Sequence, residues 1–225
     1  MFERFTEQAY LVLDLGREEA EGLGHRYLGP EHVLLGILRE GASGAARLLR
    51  AHGIQLQAAR DELLALARLG LVPAPQPGDR ELLGTLGIDL EEIRRTTEQA
   101  FGSTAVGEAT WRVTRRRGWR GGRVVWTPLC GPPVLAKRAL HLASQHASTL
   151  GHDAVRPEHV LLGVLLDARE PSGRERVSRR HRRITAHVGL PDGYQGAAGP
   201  LLGALGVDLE DLRRAAEAKL REAGS

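Results

Sequence analysis

The residues best suited to chemistry in this chain come in two matching triplets, Pro30-Glu31-His32 and Pro157-Glu158-His159. Each sets a carboxylate beside an imidazole, but neighbours on a helix point about 100° apart. No H-E-x-x-H spacing brings two histidines onto one face, so no metal site is expected and His32 and His159 are read as packing residues. The glutamates are more promising. Each stands in the first turn of a predicted helix, where a carboxylate suits the positive end of the dipole, and each adjoins a loop expected to be exposed. There a carboxylate can also take a guanidinium in a bidentate pair. Unpaired N–H groups at a helix start, helped by Arg4 and Thr6, can take an anion. A ligand carrying both a guanidinium and a phosphate would satisfy such a site.

Other chemistry is absent from the sequence. A phosphate-binding G-x-x-x-x-G-K-[ST] loop is excluded, because neither lysine, Lys137 nor Lys219, follows a glycine. Ser43 lies in GASGA, off by one from a nucleophile elbow and without the preceding strand such an elbow requires. Cys130, the single cysteine, has no neighbouring basic residue to lower its pKa, and one cysteine builds neither an internal disulfide nor a cysteine zinc cluster. The chain is therefore expected to be no enzyme and to need no cofactor.

The bulk properties describe an ordinary folded protein: 42% hydrophobic, 26% charged and a net charge of +3 over 225 residues. No apolar run approaches the ~18 residues of a membrane span, and MFERFTEQ lacks the profile of a secretory signal. A cytoplasmic location is expected, with no membrane partner. All but two of the 31 basic residues are arginine, clustered at Arg115–Arg123 and Arg174–Arg183. Such clusters suggest an alternative function, an arginine-rich nucleic-acid-associated regulator. Solvated linkers explain them better, because both fall where helical periodicity breaks and the second has no aromatic stacking platform.

The elements that must position the glutamates follow from periodicity and caps. Thr6 can cap a first helix with Ala9, Val12, Leu13, Gly16, Ala20 and Leu23 on one stripe, ended by Gly24. A second helix starts at Pro30, whose missing N–H costs nothing in a first turn, and Val33, Leu34, Leu35, Ile37 and Leu38 leave it almost no polar face. It must be buried on most sides. Ser43 caps a short third helix ending at Gly53, and a fourth carries Leu56, Ala59, Leu63 and Leu66 to Gly70. The segment from Gly24 to Glu40 then recurs 127 residues later, from Gly151 to Asp167, with ten of seventeen positions identical. LLGTLGIDLEEIRR (82–95) likewise recurs as LLGALGVDLEDLRR (201–214), each with an aspartate cap, Asp89 or Asp208.

The chain is thus a duplication. The expected architecture is all-α: a first module over 1–102 with an extra helix pair, an irregular linker over 103–132, and a second module over 133–225. The linker could form a small hairpin from 110–113 and 123–126, although an open linker is favoured. Within the second module, 170–199 shows no clear third helix and is expected to be the least ordered stretch.

MFERFTEQA, the GHRYLGPEHVLLGILREG segment and AARLLRAHGI closely resemble the N-terminal domain of the ClpC and ClpA unfoldases, the double Clp repeat. The likeness is strong over 1–70, clear over 133–167 and weaker over the two L-L-G-x-L-G-[IV]-D-L-E blocks. It implies an all-helical pseudo-twofold domain that docks protein clients and adaptors for a hexameric ATPase. In the ClpC branch it implies recognition of phosphoarginine, with the G-T-E-H glutamate on the guanidinium and the F-T threonine at the phosphate. Carried onto this chain, that places Glu31 and Thr6 in a first site and Glu158 in a second. The second copy departs further from the pattern. Pro30 and Pro157 stand where the family has threonine, Arg156 replaces the preceding glycine, and Pro133 falls where the second F-T threonine would align. With no ATPase module before Ser225, the expected protein is a free-standing docking domain acting as adaptor or competitor. Its partners would be marked or unfolded clients, Clp unfoldase or adaptors, and cyclic peptides binding at an apolar patch around Phe2.

Overall fold

A computed structural model describes residues 3–74, 90–102, 119–120, 123–124, 135–169, 190, 194 and 196–222. Phe2, Cys130 and the 174–183 arginine run lie outside the described residues, as do 82–89 with the Asp89 cap and most of 170–199.

The first half runs α1 (Glu7–Gly22), α2 (Pro30–Glu40), α3 (Gly44–Ala51) and α4 (Leu56–Arg68), followed by α5 (Leu90–Phe101). The expected local signals start these helices. Thr6 Oγ1 accepts the Ala9 N–H at 3.2 Å, and Ser43 Oγ accepts that of Ala46 at 3.1 Å. Gly41 closes α2 at φ 74°, a left-handed conformation in which glycine carries no Cβ penalty. The second half has α6 (Ala136–Thr149), α7 (Pro157–Arg169), α8 (Ala198–Ala204) and α9 (Leu209–Glu222). Its missing third helix is α8, which begins later than the third helix of the first half because 28 residues separate α7 from it. The second L-L-G block therefore supplies the third and fourth helices of this half instead of an extra pair.

Between the halves, β1 (Trp119–Arg120) and β2 (Arg123–Val124) form a two-residue antiparallel ladder, Trp119 opposite Val124 and Arg120 opposite Arg123. This short ladder lies inside the stretch read as an open linker, and its first strand is 119–120 and not 110–113, which lie outside the described residues.

Every residue of α2 from Pro30 to Leu38 is buried. It can sit so deep because Gly36 crosses α1 at backbone contact: a Cβ there would lie 2.2 Å from the Val12 carbonyl. Gly163 makes the same crossing in the second half, where a Cβ would lie 2.2 Å from the Ala139 carbonyl. Two equivalent main-chain seams then join the halves. Thr6 N–H donates to Val155 O at 3.0 Å, beside the bridge of Phe5 with Val155, and Ala136 N–H donates to Leu28 O at 3.2 Å. The two modules do not keep separate cores. Leu35 and Ile37 share one apolar cluster with Leu140, Leu161, Leu165 and Leu201, each fully buried side chain contributing ~1.5–3 kcal/mol of transfer free energy. Among the described residues no helix is long and apolar enough to cross a membrane, and no group of three or more metal-ligating side chains occurs.

Candidate binding site

Both Pro-Glu-His triplets are built on one local plan. Gly29 N–H donates to His32 Nδ1 at 3.0 Å, and His32 Nε2 meets His25 Nδ1 at 2.7 Å. In the second copy Arg156 N–H donates to His159 Nδ1 at 3.0 Å, and His159 Nε2 meets His152 Nδ1 at 2.8 Å. An N–H donor on Nδ1 fixes the proton of each triplet histidine on Nε2, from which it donates to the partner ring. The imidazoles therefore pin the loop to the helix start and stay neutral. Burial, opposed only by the Glu19 charge, pulls His32 down to about 3, while burial and the neighbouring His32 pull His25 down to about 4. His159 is likewise held at about 4, by burial first and then by the neighbouring His152, Arg156 and His146. Their expected packing role stands.

The glutamates part company. Glu31, expected at the mouth of an exposed pocket, is fully buried. The Ala197 N–H donates to its Oε2 at 2.9 Å, and the Tyr194 hydroxyl lies 3.4 Å from Oε1 and 3.2 Å from the Tyr27 hydroxyl. Burial pushes its carboxyl up, and the Ala197 N–H and its own N–H only partly offset that. The expectation of a solvent-facing Glu31 is therefore corrected: residues more than 160 positions downstream cover it. Arg4 is corrected as well. Its guanidinium donates to Asp153 O at 2.9 Å, to Ser148 Oγ at 2.6 Å and to His152 O, tying the first strand of chain to the end of α6. Thr6 keeps its capping role, its hydroxyl oxygen on the α1 turn. Arg4, Thr6 and Glu31 form no common anion pocket.

Glu158 is partly exposed and lies in a groove of about 270 Å³ with Gly44, Arg47, Arg156, Lys219, Leu220 and Glu222. Its carboxylate sits over the first turn of α3, so close that a Cβ on Gly44 would meet Oε1 at 2.6 Å and Lys219 Cε at 2.7 Å. Arg47 sits on the solvent side with one N–H on Ala42 O at 2.6 Å. Three cations and two carboxylates thus face one concave surface built from α3, the start of α7 and the end of α9. Arg47, Arg156, Lys219 and Glu222 were not foreseen as site residues. Only Arg156 carried a signal, as the residue standing where the first copy has Gly29.

Residues 4–79 match the profile of the Clp repeat (R) N-terminal domain. The chloroplastic chaperone protein ClpC of Pisum sativum is 32% identical over 165 residues, which is 73% of this chain and 12% of that protein. The ClpA homolog of Guillardia theta, an ATP-dependent Clp protease ATP-binding subunit, is 28% identical over 232 residues, covering 98% of this chain and 22% of its own length. The chain therefore spans a small part of these relatives. Among solved structures, the N-terminal domain of the caseinolytic protease associated chaperone ClpD from Arabidopsis thaliana shares the fold. It superposes with a TM-score of 0.52 at 19% identity, over 98% of this chain and 97% of that one. The chain carries a Clp repeat N-terminal domain over residues 4–79 and resembles, in sequence and all-α fold, the N-terminal domains of ClpC and ClpA.

Proposed function

We propose that this chain is a non-catalytic docking module for client proteins or adaptors of a Clp unfoldase, and that its Glu158 groove takes a phosphorylated guanidinium group on a protein surface. The observation that carries this reading is the juxtaposition of an accessible carboxylate with Arg47, Arg156 and Lys219 in one groove. Among the described residues Glu158 makes no ion pair within the chain, so its charge is available to a guanidinium. The surrounding cations suit the phosphate of the same ligand, and neither arginine nor phosphate alone satisfies both halves.

Neutralising the carboxylate should remove one charge-assisted pair, worth ~1.5–3 kcal/mol, or about tenfold to a hundredfold in affinity. Calorimetry with free phosphoarginine, arginine and inorganic phosphate tests this. Binding of phosphoarginine alone, weakened at least about tenfold by Glu158→Gln, is expected. No heat with phosphoarginine, or equal affinity in the variant, would reject the assignment.

A further inference from the structure

The duplicated sequence holds two equivalent glutamates, yet only one reaches solvent. We propose that Tyr194, Gly196 and Ala197 are a resident internal occupant of the Glu31 position, admitted by the glycine at 29, so that the chain offers one open carboxylate site where its repeat encodes two.

The residue before each proline decides the direction of the carboxylate. A Cβ on Gly29 would lie 2.3 Å from Glu31 Oε1 and 2.6 Å from Oε2, so the Glu31 carboxylate fills the volume a side chain at 29 would need. At the equivalent place the second copy has Arg156. Its Cβ denies Glu158 that inward position and leaves the carboxylate over the first turn of α3, facing the groove. Inward rotation alone would not bury Glu31. The covering chain completes the closure: Gly196 comes down on the Pro30 ring so tightly that a Cβ would lie 2.6 Å from both Cγ and Cδ, and its φ of 101° is one that glycine adopts readily. That approach delivers the Ala197 N–H to Oε2 and stacks Tyr194 edge-on against Tyr27, ring centroids 5.9 Å apart. The Leu190 side chain packs with Tyr27 and Leu135 at the same seam. At the Glu158 position the equivalent connection between helices is only Gly41 to Ser43, too short to fold over the carboxylate.

The single-site count rests on the docking role proposed for Glu158, whereas the occupant itself can be tested without ligand. Amide hydrogen exchange followed by NMR reads the Ala197 N–H directly. It should be slow in the native protein and at least about tenfold faster in Gly196→Ala, with the Leu35 and Leu161 amides unchanged. Tyr194→Ala serves as the second variant should Gly196→Ala fail to fold. Phosphoarginine calorimetry then counts sites. One equivalent is expected for the native chain and for Glu31→Gln, because the covered carboxylate takes none. A fast-exchanging Ala197 amide in the native protein would overturn the occupant, as would two equivalents bound with one lost in Glu31→Gln. A slow Ala197 amide with no phosphoarginine heat would uphold the occupant and refute the docking role alone.

Discussion

Acidification should destabilise this fold through its two histidine pairs, and the size of the effect follows from their wiring. In each pair a backbone N–H points at Nδ1 of the triplet histidine, whose Nε2–H points at Nδ1 of its partner. Adding a proton to any of these Nδ1 atoms would set two donors face to face. His25 Nε2, on the side of the Pro73 carbonyl, makes no ordinary hydrogen bond that could compensate. His25 and His159 are held at about 4 and His32 at about 3, against 6.5 in the unfolded chain. The folded values are depressed, so the stability these rings contribute is present above pH 6.5 and is lost as pH falls toward 4. At pH 5 the unfolded chain has taken up protons the native one refuses, at ~2 kcal/mol per ring and ~6 kcal/mol for three.

One carboxyl acts the other way. Burial, partly offset by Arg138, raises Asp167 to about 6. Its folded value lies above the unfolded one, so it returns ~1 kcal/mol as pH falls from 7 to 5. Glu31, also raised by burial, adds to that return. The histidines win, and a net loss of ~3 kcal/mol or more is expected, a large part of the ~5–15 kcal/mol that holds a domain folded. Urea unfolding at pH 7 and pH 5 measures the difference, and NMR of the imidazole C–H groups identifies its source. Equal stability at the two pH values, or His25 and His32 titrating with midpoints near 6.5, would refute the reasoning.

Two further perturbations test the packing. Gly163→Ala should cost at least ~1–3 kcal/mol, because its Cβ would lie 2.2 Å from a backbone carbonyl that cannot move aside without separating α6 from α7; a urea midpoint equal to that of the native protein would contradict the close crossing. Glu19 is buried and accepts from Arg60 Nε at 2.7 Å, from Arg60 Nη2 on the same edge of the guanidinium at 2.6 Å, and from Arg39 at 3.1 Å. Glu19→Ala should therefore loosen α4 from α1 and α2, at ~1–2 kcal/mol once the partial exposure of both arginines is allowed for. Arg60→Ala in the Glu19→Ala background should then add little, and fully additive losses in that double-mutant cycle would show the pair is not coupled.

What could be read from the amino acids depended on range. The starts at Thr6, Ser43, Pro30 and Asp208 are decided within three residues by caps and missing N–H groups, and they stand where expected. Burial of α2 followed from its lack of a polar face. The closure of Glu31 was illegible because its cover, Tyr194, Gly196 and Ala197, comes from a stretch with no helical period and lies more than 160 residues away in sequence. The contrast between Gly29 and Arg156 is visible in the sequence, where it reads only as a departure of the second copy from the pattern. Physically it is what keeps Glu158 outward. Identical spacing from His25 to His32 and from His152 to His159 was present too, and the paired donors explain it.

The most direct test of the account is a backbone-amide NMR titration with phosphoarginine. Ligand in the groove should shift the Gly44, Arg47, Arg156 and Lys219 amides and leave Gly29, Glu31 and Ala197 in place. Shifts concentrated instead at Glu31 and Ala197, with Gly44 and Arg156 unmoved, would contradict it.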